Sequence, residues 1–224
     1  MTTPPSIVTL NLHGIGTPVR ELEPGEDDVW ISVRQLEDVL DAVAERPDVR
    51  LTFDDANASD VEIGLPHLLK RGLTARFFLC AGLLGRPGRL TRDAVRELVD
   101  AGMPLGTHGW THRDWRRLTP PEVIEELVRA PRELAEFTGQ PVTEASIPFG
   151  SYDRHVLRRL REAGVTRAYT SDGGRTDPDA WLQARNSLKR TTDAAWLGQV
   201  LDGVPSFPRR ARNVAARTVK RFRG

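Results

Sequence analysis

Apolar and polar residues follow two different periods along this chain, and the two periods alternate. Seven short runs have the character of strands, and they cover residues 7–12, 49–53, 75–79, 104–107, 145–147, 167–170 and 181–185. Between such runs the apolar residues recur every three or four positions, as in Val33, Leu36 and Leu40, which is typical of amphipathic helices. The pattern therefore predicts strands and helices in turn.

Residues that favour helix starts mark the borders of these segments. Ser32 followed by Gln35 resembles a capping box. Thr119, two prolines and Glu122 form a second helix start, with proline in the first turn. A further helix is expected over 153–163. These signals support a helix after most of the predicted strands.

Alternation of strands and helices indicates an α/β fold with a mostly parallel sheet and right-handed crossovers. The chain shows no repeat and no obvious linker, so we expect one catalytic domain over residues 1–205. An open doubly wound sheet and a closed barrel would give the same alternation. In both folds, functional side chains gather just after the strands.

Composition places the chain among soluble globular proteins. It has 224 residues, of which 39% are hydrophobic and 28% are charged. The N-terminus shows no secretory signal pattern, and no apolar run approaches the length that crosses a membrane. We therefore expect a cytoplasmic location.

The C-terminal segment, residues 206–224, differs from the rest in charge. Of the 32 basic and 31 acidic residues, seven basic and no acidic ones lie in 209–224, although the net charge of the whole chain is only +1. The remaining body is mildly acidic, which gives no reason to expect nucleic-acid binding. The tail places its apolar residues on one helical stripe: Ala211, Val214, Ala215, Thr218, Val219 and Phe222. This stripe predicts either peripheral contact with an anionic membrane or packing against the domain.

Two short runs carry the candidate chemistry. Asp54 and Asp55 end the second predicted strand, and His108 and His112 follow the fourth, four positions apart. Histidines at this spacing can share a metal on one helical turn. One carboxylate and two imidazoles form a three-ligand set for a divalent metal with a position open to water or substrate. The second carboxylate can then act as a base, which suits metal-assisted hydrolysis.

Three ordered motifs resemble those of the polysaccharide deacetylases with a NodB-type domain, carbohydrate esterase family 4. The T-F-D-D motif is matched by Thr52 to Asp55, and H-[ST]-x-x-H by His108 to His112, with glycine at the hydroxyl position. The R-x-P-[FY]-G motif is matched by Ser146 to Gly150 except for its arginine. The resemblance spans roughly residues 7–190.

The resemblance implies a distorted barrel of the (β/α)7 type. It implies that Asp55, His108 and His112 bind a divalent metal, usually zinc, with cobalt, nickel or manganese as alternatives. It also implies that Asp54 is the catalytic base and that the backbone N–H of Phe149 binds the oxyanion.

Two departures from the family pattern stand out. Ser146 replaces the arginine that orients the base, which predicts a less restrained Asp54. No histidine follows His155, so the late catalytic histidine of the family is missing. His13 is the best substitute as general acid, because Leu10 to Gly14 resembles the opening of a branch of the family in which an N-terminal histidine enters the site.

The sequence predicts a metal-dependent hydrolase that removes N-acetyl groups from an amino-sugar glycan or glycan precursor. Trp110, Pro148 and Asp172 are candidate substrate-binding residues near the motifs. A non-catalytic carbohydrate-binding relative is the competing interpretation, since two family residues are missing. A deacylase of a lipid-linked sugar is a further alternative, consistent with a cytoplasmic enzyme that carries a basic tail.

Overall fold

A nine-stranded sheet forms the centre of the protein, whose computed structural model describes residues 6–202. Its strands are β1 (Ile7–Leu12), β2 (Val49–Phe53), β3 (Arg76–Leu79), β4 (Leu105–Thr107), β5 (Glu144–Ser146), β6 (Arg167–Thr170), β7 (Arg175–Thr176), β8 (Leu182–Ala184) and β9 (Asn186–Ser187). Strands β1 to β6 are parallel neighbours in chain order, and β8 pairs with β6 in the same direction. The seven predicted strands are thus confirmed within one residue at each end.

The sheet curves into a nearly closed barrel because its last two strands join opposite edges. β8 pairs with β6, and β9 pairs with β1, with Leu10 opposite Asn186 and Asn11 opposite Ser187. A single residue, Arg185, separates β8 from β9. The family-based expectation of a distorted barrel is confirmed, whereas periodicity alone left an open sheet equally acceptable.

Residues 6–202 form seven α-helices: α1 (Val33–Val43), α2 (Leu65–Leu69), α3 (Arg92–Asp100), α4 (Pro120–Ile124), α5 (Ala130–Thr138), α6 (Arg154–Glu162) and α7 (Ala194–Leu201), of which α7 follows the last strand. The capping box predicted at Ser32 and the helix start predicted at Thr119 are both present. α1 buries Leu36, Val39 and Leu40 against the sheet. Each fully buried side chain of this size contributes about 1.5–3 kcal/mol of transfer free energy.

Two π-helical segments interrupt the helical stretches, and each has the same cause. Asp60–Gly64 leads into α2, and Glu125–Arg129 leads into α5. In both cases a proline, Pro66 or Pro131, lies at the second position after the segment. Proline lacks the N–H for an α-helical hydrogen bond and clashes with the preceding turn, so a widened turn relieves the conflict. Both segments contain a buried carboxylate.

The interior contains an apolar cluster built from the strands and the helices that cover them. Phe53 and Phe77 stack in it with ring centroids 4.7 Å apart. Among residues 6–202, no helix is long and apolar enough to cross a membrane. The predicted basic tail lies outside the described residues.

Candidate active site

The carboxyl ends of the parallel strands meet around one cleft with a volume of about 360 Å³. Its lining includes all six of the predicted catalytic and metal-binding residues: His13 after β1, Asp54 and Asp55 after β2, His108 and His112 after β4, and Phe149 after β5. Residues far apart in the sequence come together here because parallel strands all end at the same edge.

Asp55, His108 and His112 have the arrangement of a metal-ligand set. Their ligand atoms lie within 4.8 Å of one another, and Asp55 Oδ1 is 3.3 Å from His108 Nε2 and 3.5 Å from His112 Nε2. Asp55 Oδ1 is buried and accepts no hydrogen bond of normal geometry from residues 6–202. A buried acceptor of this kind is costly without a partner. The three residues therefore fit a divalent cation.

The carbonyl oxygen of Ser146 fixes the orientation of His108. His108 Nδ1 lies 2.8 Å from this oxygen, which can only accept a hydrogen bond. Nδ1 is therefore the donor, and the lone pair of Nε2 is directed toward the ligand set. A backbone carbonyl behind a histidine ligand is a common way to set its tautomer.

Three site residues adopt the left-handed backbone conformation that non-glycine residues avoid. The φ angles are 78° at Asp55, 60° at His112 and 58° at Phe149. Among residues 6–202, the only other non-glycine residue with positive φ is Ala56, next to Asp55. Such conformations cost about 1–3 kcal/mol each and occur mainly at functional sites. The strain thus marks all three motif loops.

The two histidines lie on a loop, which corrects the expectation of a helical turn. The carboxylate of Glu126, fully buried in the π-helical segment, holds this loop. It accepts hydrogen bonds from the backbone N–H of Trp110 at 2.8 Å and of Thr111 at 3.0 Å. These hydrogen bonds therefore fix the loop between the two histidines. They replace helical geometry in bringing the imidazoles together.

Glu126 also explains the glycine in the second motif. Gly109 has a φ of 82°, and a Cβ atom added to it would lie 2.0 Å from Glu126 Oε2. The family's usual serine or threonine would collide with this carboxylate. Gly109 is therefore required by the local packing.

Asp54 is held by a bidentate pair with Arg185, and this corrects the prediction that Asp54 is poorly restrained. Arg185 donates from Nη1 to Oδ1 at 2.8 Å and from Nη2 to Oδ2 at 2.7 Å. Arg185 Nη2 also donates to Ser146 Oγ at 2.7 Å, and Ser146 Oγ donates to Asp54 Oδ2 at 3.0 Å. The serine at the family's arginine position thus forms part of a network around an arginine supplied by the junction of β8 and β9.

The surrounding cationic groups keep Asp54 ionised. Burial alone would raise the pKa of Asp54, but the Arg185 guanidinium, together with His108 and His13, outweighs this effect and holds the pKa well below its usual range. Asp54 is consequently a carboxylate near neutral pH. Burial lowers the pKa of His112 to about 4, so this imidazole is neutral, as a metal ligand must be.

His13 lies at the cleft wall, half-buried, with its Nδ1 atom buried and without a hydrogen-bond partner among residues 6–202. Its Nε2 atom is 3.4 Å from Asn11 Nδ2. Burial lowers the pKa of His13, opposed by the charges of Asp55 and Asp54. His13 therefore lines the cleft and has one buried nitrogen without a partner among residues 6–202.

Phe149 offers both a ring and a backbone donor to the cleft. Its side chain is 61% exposed, and its ring centroid is 4.4 Å from that of His112. Its N–H donates to no group in the described chain. An unpaired N–H at the mouth of a ligand set is the donor that an oxyanion needs.

The three residues predicted to bind substrate do not line the cleft. Trp110 packs with the Arg129 guanidinium 4.1 Å from its ring centroid, and Pro148 is buried in the turn before Phe149. Asp172 accepts hydrogen bonds from Tyr152 Oη at 2.7 Å and Thr170 Oγ1 at 2.9 Å, and it lines a neighbouring cavity. Their substrate contacts remain predictions.

Sequence reasoning missed Arg185 and Glu126. Arg185 ends the last predicted strand, so the strand-end rule that singled out His13 and Asp54 would also have identified it. Glu126 gave a weaker signal, because a glutamate in an acidic stretch of a helix usually faces solvent. Its role depends on the π-helical turn, which sequence periodicity does not show.

Comparisons with known proteins agree with this geometry. A family model described as "Polysaccharide deacetylase" matches residues 41–168, more than half of the chain. The matched region includes the aspartate pair, the histidine pair and the Pro-Phe-Gly turn. It ends before Arg185.

Two curated relatives share part of the chain. YxkH from Bacillus subtilis is 24% identical over 141 residues, which are 63% of this chain and 50% of that protein. The peptidoglycan-N-acetylglucosamine deacetylase PgdA from Listeria monocytogenes is 27% identical over 114 residues, 50% of this chain and 23% of that protein. The chain thus spans half or less of the length of these relatives.

One solved structure covers nearly the whole fold. The Streptococcus pyogenes deacetylase PplD, solved in complex with acetate, aligns over 89% of this chain and 99% of that chain, with a TM-score of 0.76 and 19% identity. The similarity shows that the two proteins share their fold.

Proposed function

Because this chain belongs to the polysaccharide deacetylase family, we propose that it hydrolyses the N-acetyl group of an amino-sugar glycan with the help of a divalent metal. The observation that carries the proposal is the pairing of a metal-ligand set with an ionised, arginine-held carboxylate in one cleft. This combination suits amide hydrolysis better than binding alone, because a binding site needs no base.

Asp55, His108 and His112 would hold the metal, and zinc fits one carboxylate and two imidazoles. When bound, a divalent metal supplies Lewis-acid polarisation and lowers the pKa of water. Cobalt, nickel and manganese accept the same donor atoms.

Asp54 acts as the base for the attacking water. The water oxygen forms a bond to the acetyl carbonyl carbon while Asp54 accepts the proton that the water loses. Arg185 keeps the carboxylate ionised and fixes its orientation. The N–H of Phe149 donates to the oxyanion that develops on the former carbonyl oxygen.

His13 donates a proton to the leaving nitrogen. When the bond between the carbonyl carbon and nitrogen breaks, the products are acetate and a free amine, and an amine leaves only if its nitrogen is protonated. Support for His13 comes from its place in the cleft and its unpartnered Nδ1. Among the histidines of the chain that are not proposed metal ligands, His13 alone lines the cleft.

The deciding experiment measures acetate release from N-acetylglucosamine oligomers by the metal-loaded protein and by one variant. Asp54→Asn should retain the metal and lose about 10²-fold or more in kcat, the usual scale for a positioned base. Metal binding without acetate release from any N-acetylated glycan would favour a non-catalytic carbohydrate-binding protein.

The role of His13 can be separated from that of the base by the leaving group. His13→Ala should depress amide hydrolysis but spare hydrolysis of a 4-nitrophenyl acetate ester, whose leaving group needs no proton. Equal losses for both substrates would assign His13 a structural role. His155→Ala, on the exposed face of α6, is the matched control.

The place of action in the cell is a separate proposal, carried by sequence alone. The basic residues and the apolar stripe of residues 209–224 support contact of a cytoplasmic enzyme with an anionic membrane, where lipid-linked sugars would be accessible. Co-sedimentation with anionic and neutral liposomes, with and without these residues, tests it. Equal recovery of both proteins on anionic vesicles would dismiss membrane contact.

A further inference from the structure

The cleft around Asp55, His108 and His112 (the metal cleft) continues into a second cavity of about 250 Å³. Three residues line both cavities: Ser171, Ser187 and Lys189. Ser171 follows β6, Ser187 ends β9 and Lys189 lies two residues further along. A glycan that occupies both cavities must therefore pass these three side chains.

Lys189 has a fixed backbone and an uncompensated charge. Its N–H donates to Thr192 Oγ1 at 2.8 Å, and its carbonyl oxygen accepts from Gln35 Nε2 at 3.4 Å. The side chain is exposed, and no carboxylate among residues 6–202 forms an ion pair with it. The ammonium group is therefore available to a ligand, and the backbone that carries it is held in place.

The metal cleft contains a second cation, Arg89, that forms no ion pair with a carboxylate among residues 6–202. Arg89 lines the metal cleft and donates to the carbonyl oxygen of Asp55 at 3.0 Å and to Asn57 Oδ1 at 2.9 Å. Both acceptors are neutral. Arg89 thus adds to the positive potential of the cleft, although its contacts direct it toward the protein.

Acidic groups around the two cavities are mostly neutralised or hydrogen-bonded. Asp54 is paired with Arg185, and Glu26 is paired with Arg20. Hydroxyl groups donate to Asp172. Of the carboxylates that line the cavities apart from the proposed metal ligand, Glu23 alone lacks a partner within the described chain. Its side chain is exposed to solvent.

We propose that Lys189, with the hydroxyls of Ser171 and Ser187, forms a subsite for a carboxylate or phosphate carried by the glycan beside the N-acetylated sugar. Neither hydroxyl forms a hydrogen bond within residues 6–202, so both can donate to an anion. A lysine binds such groups as a point charge at the end of a flexible stem. This inference rests on the proposed deacetylase function, and it makes the enzyme selective for anionic glycans.

The test compares three N-acetylglucosamine oligomers of equal length with the metal-loaded protein. One is neutral, one carries a carboxylate on the neighbouring sugar and one carries a phosphate monoester there. The wild type should show the lowest KM for one or both anionic oligomers. Lys189→Met should raise that KM about tenfold, equivalent to about 1.4 kcal/mol. The kcat and the KM for the neutral oligomer should not change.

Two further variants make the result specific to charge. Lys189→Arg should keep most of the preference, since it retains a cation at the same place. Lys70→Met removes an exposed lysine after α2, outside both cavities, and should leave all three KM values unchanged. The carboxylate and phosphate arms identify which anion the subsite accepts.

The inference is overturned if the wild type binds neutral and anionic oligomers equally. It is also overturned if Lys189→Met raises the KM for all three oligomers by the same factor. Binding of the same oligomers measured by calorimetry keeps this outcome separate from catalysis. Absence of acetate release from every substrate would contradict the proposed function. A preference in binding that depends on Lys189 would still support the subsite.

Discussion

Arg185 and Asp54 face each other inside the barrel, 131 residues apart in the sequence and joined by two hydrogen bonds of 2.8 and 2.7 Å. Their carboxylate and guanidinium are both nearly inaccessible to water, at 2% and 0% side-chain exposure. Leaving one charge of such a pair without the other costs about 3–5 kcal/mol. Removal of either partner alone should therefore destabilise the domain and also disturb the proposed base.

Replacing Arg185 should impair turnover without removing the metal. Arg185→Lys keeps a charge but loses the bidentate geometry, and we expect kcat to fall about 10²-fold, as a small misplacement of a catalytic group can cause. Metal content and KM should remain close to wild type. Arg158→Lys on the exposed face of α6 is the control.

The position of the arginine can be tested by exchange. In the double variant Ser146→Arg/Arg185→Ser the cation returns to the strand where the family has it. Recovery of turnover above that of Arg185→Ser alone would show that the barrel accepts the arginine from either side. Full activity of Arg185→Lys would contradict a positioning role.

Removal of one of the proposed metal ligands should abolish metal binding and hydrolysis together. His108→Ala takes away a ligand whose orientation the Ser146 carbonyl sets, and the other two cannot form a three-ligand site alone. Metal content by elemental analysis and acetate release should fall in parallel. After chelation, re-addition of the metal should restore the acetate release of the wild type but not that of His108→Ala. Activity that survives complete metal removal would refute metal dependence.

Glu126 is expected to act on the metal through the histidine loop. Glu126→Gln weakens the acceptor for the N–H groups of Trp110 and Thr111, and we expect metal affinity to drop by about 10–100-fold, as for other outer partners of ligands. At saturating metal, kcat should recover. Glu125→Gln, a neighbour whose ion pairs are longer than 3.5 Å, is the matched control. A loss of kcat that saturating metal does not restore would disagree with this role.

Asp60 is expected to make the stability of the metal-free protein depend on pH. Its carboxylate is fully buried with no hydrogen-bond partner for either oxygen in the described chain, and burial and the charge of Asp55 raise its pKa well above the usual value. The contribution of Asp60 to stability is thus fully present below its pKa in the unfolded chain, about 3.9, and is lost as pH rises through its pKa in the folded protein.

Asp60→Asn should therefore stabilise the protein more at pH about 8 than at pH about 5, since only the wild type must protonate or bury a charge. Urea unfolding of chelated protein at both pH values measures the difference. Asp93→Asn, on the exposed first turn of α3, should show no such trend. If the free energies of unfolding of the wild type and of Asp60→Asn changed equally with pH, Asp60 would not be the cause of the pH dependence.

The sequence by itself determined the strands, the helix starts and the identity of the motif residues. Apolar periodicity and capping residues are local properties, so they predicted the strand bounds and the helix starts at Ser32 and Thr119. Site residues in parallel folds follow strands, and the ends of parallel strands meet at one edge of the sheet. This rule singled out His13, Asp54 and His108, which line one cleft in the structure.

Only the tertiary structure decided the closure of the sheet and the partners of the site residues. Local periodicity carries no information about which strands form the two edges, and closure depends on β8 and β9 pairing with opposite ends of the sheet. That closure brings Arg185 to Asp54, where it supplies the charge that Ser146 lacks. The π-helical turn likewise brings Glu126 behind the histidine loop. Both contacts join residues distant in sequence, and burial in the folded barrel gives them their strength.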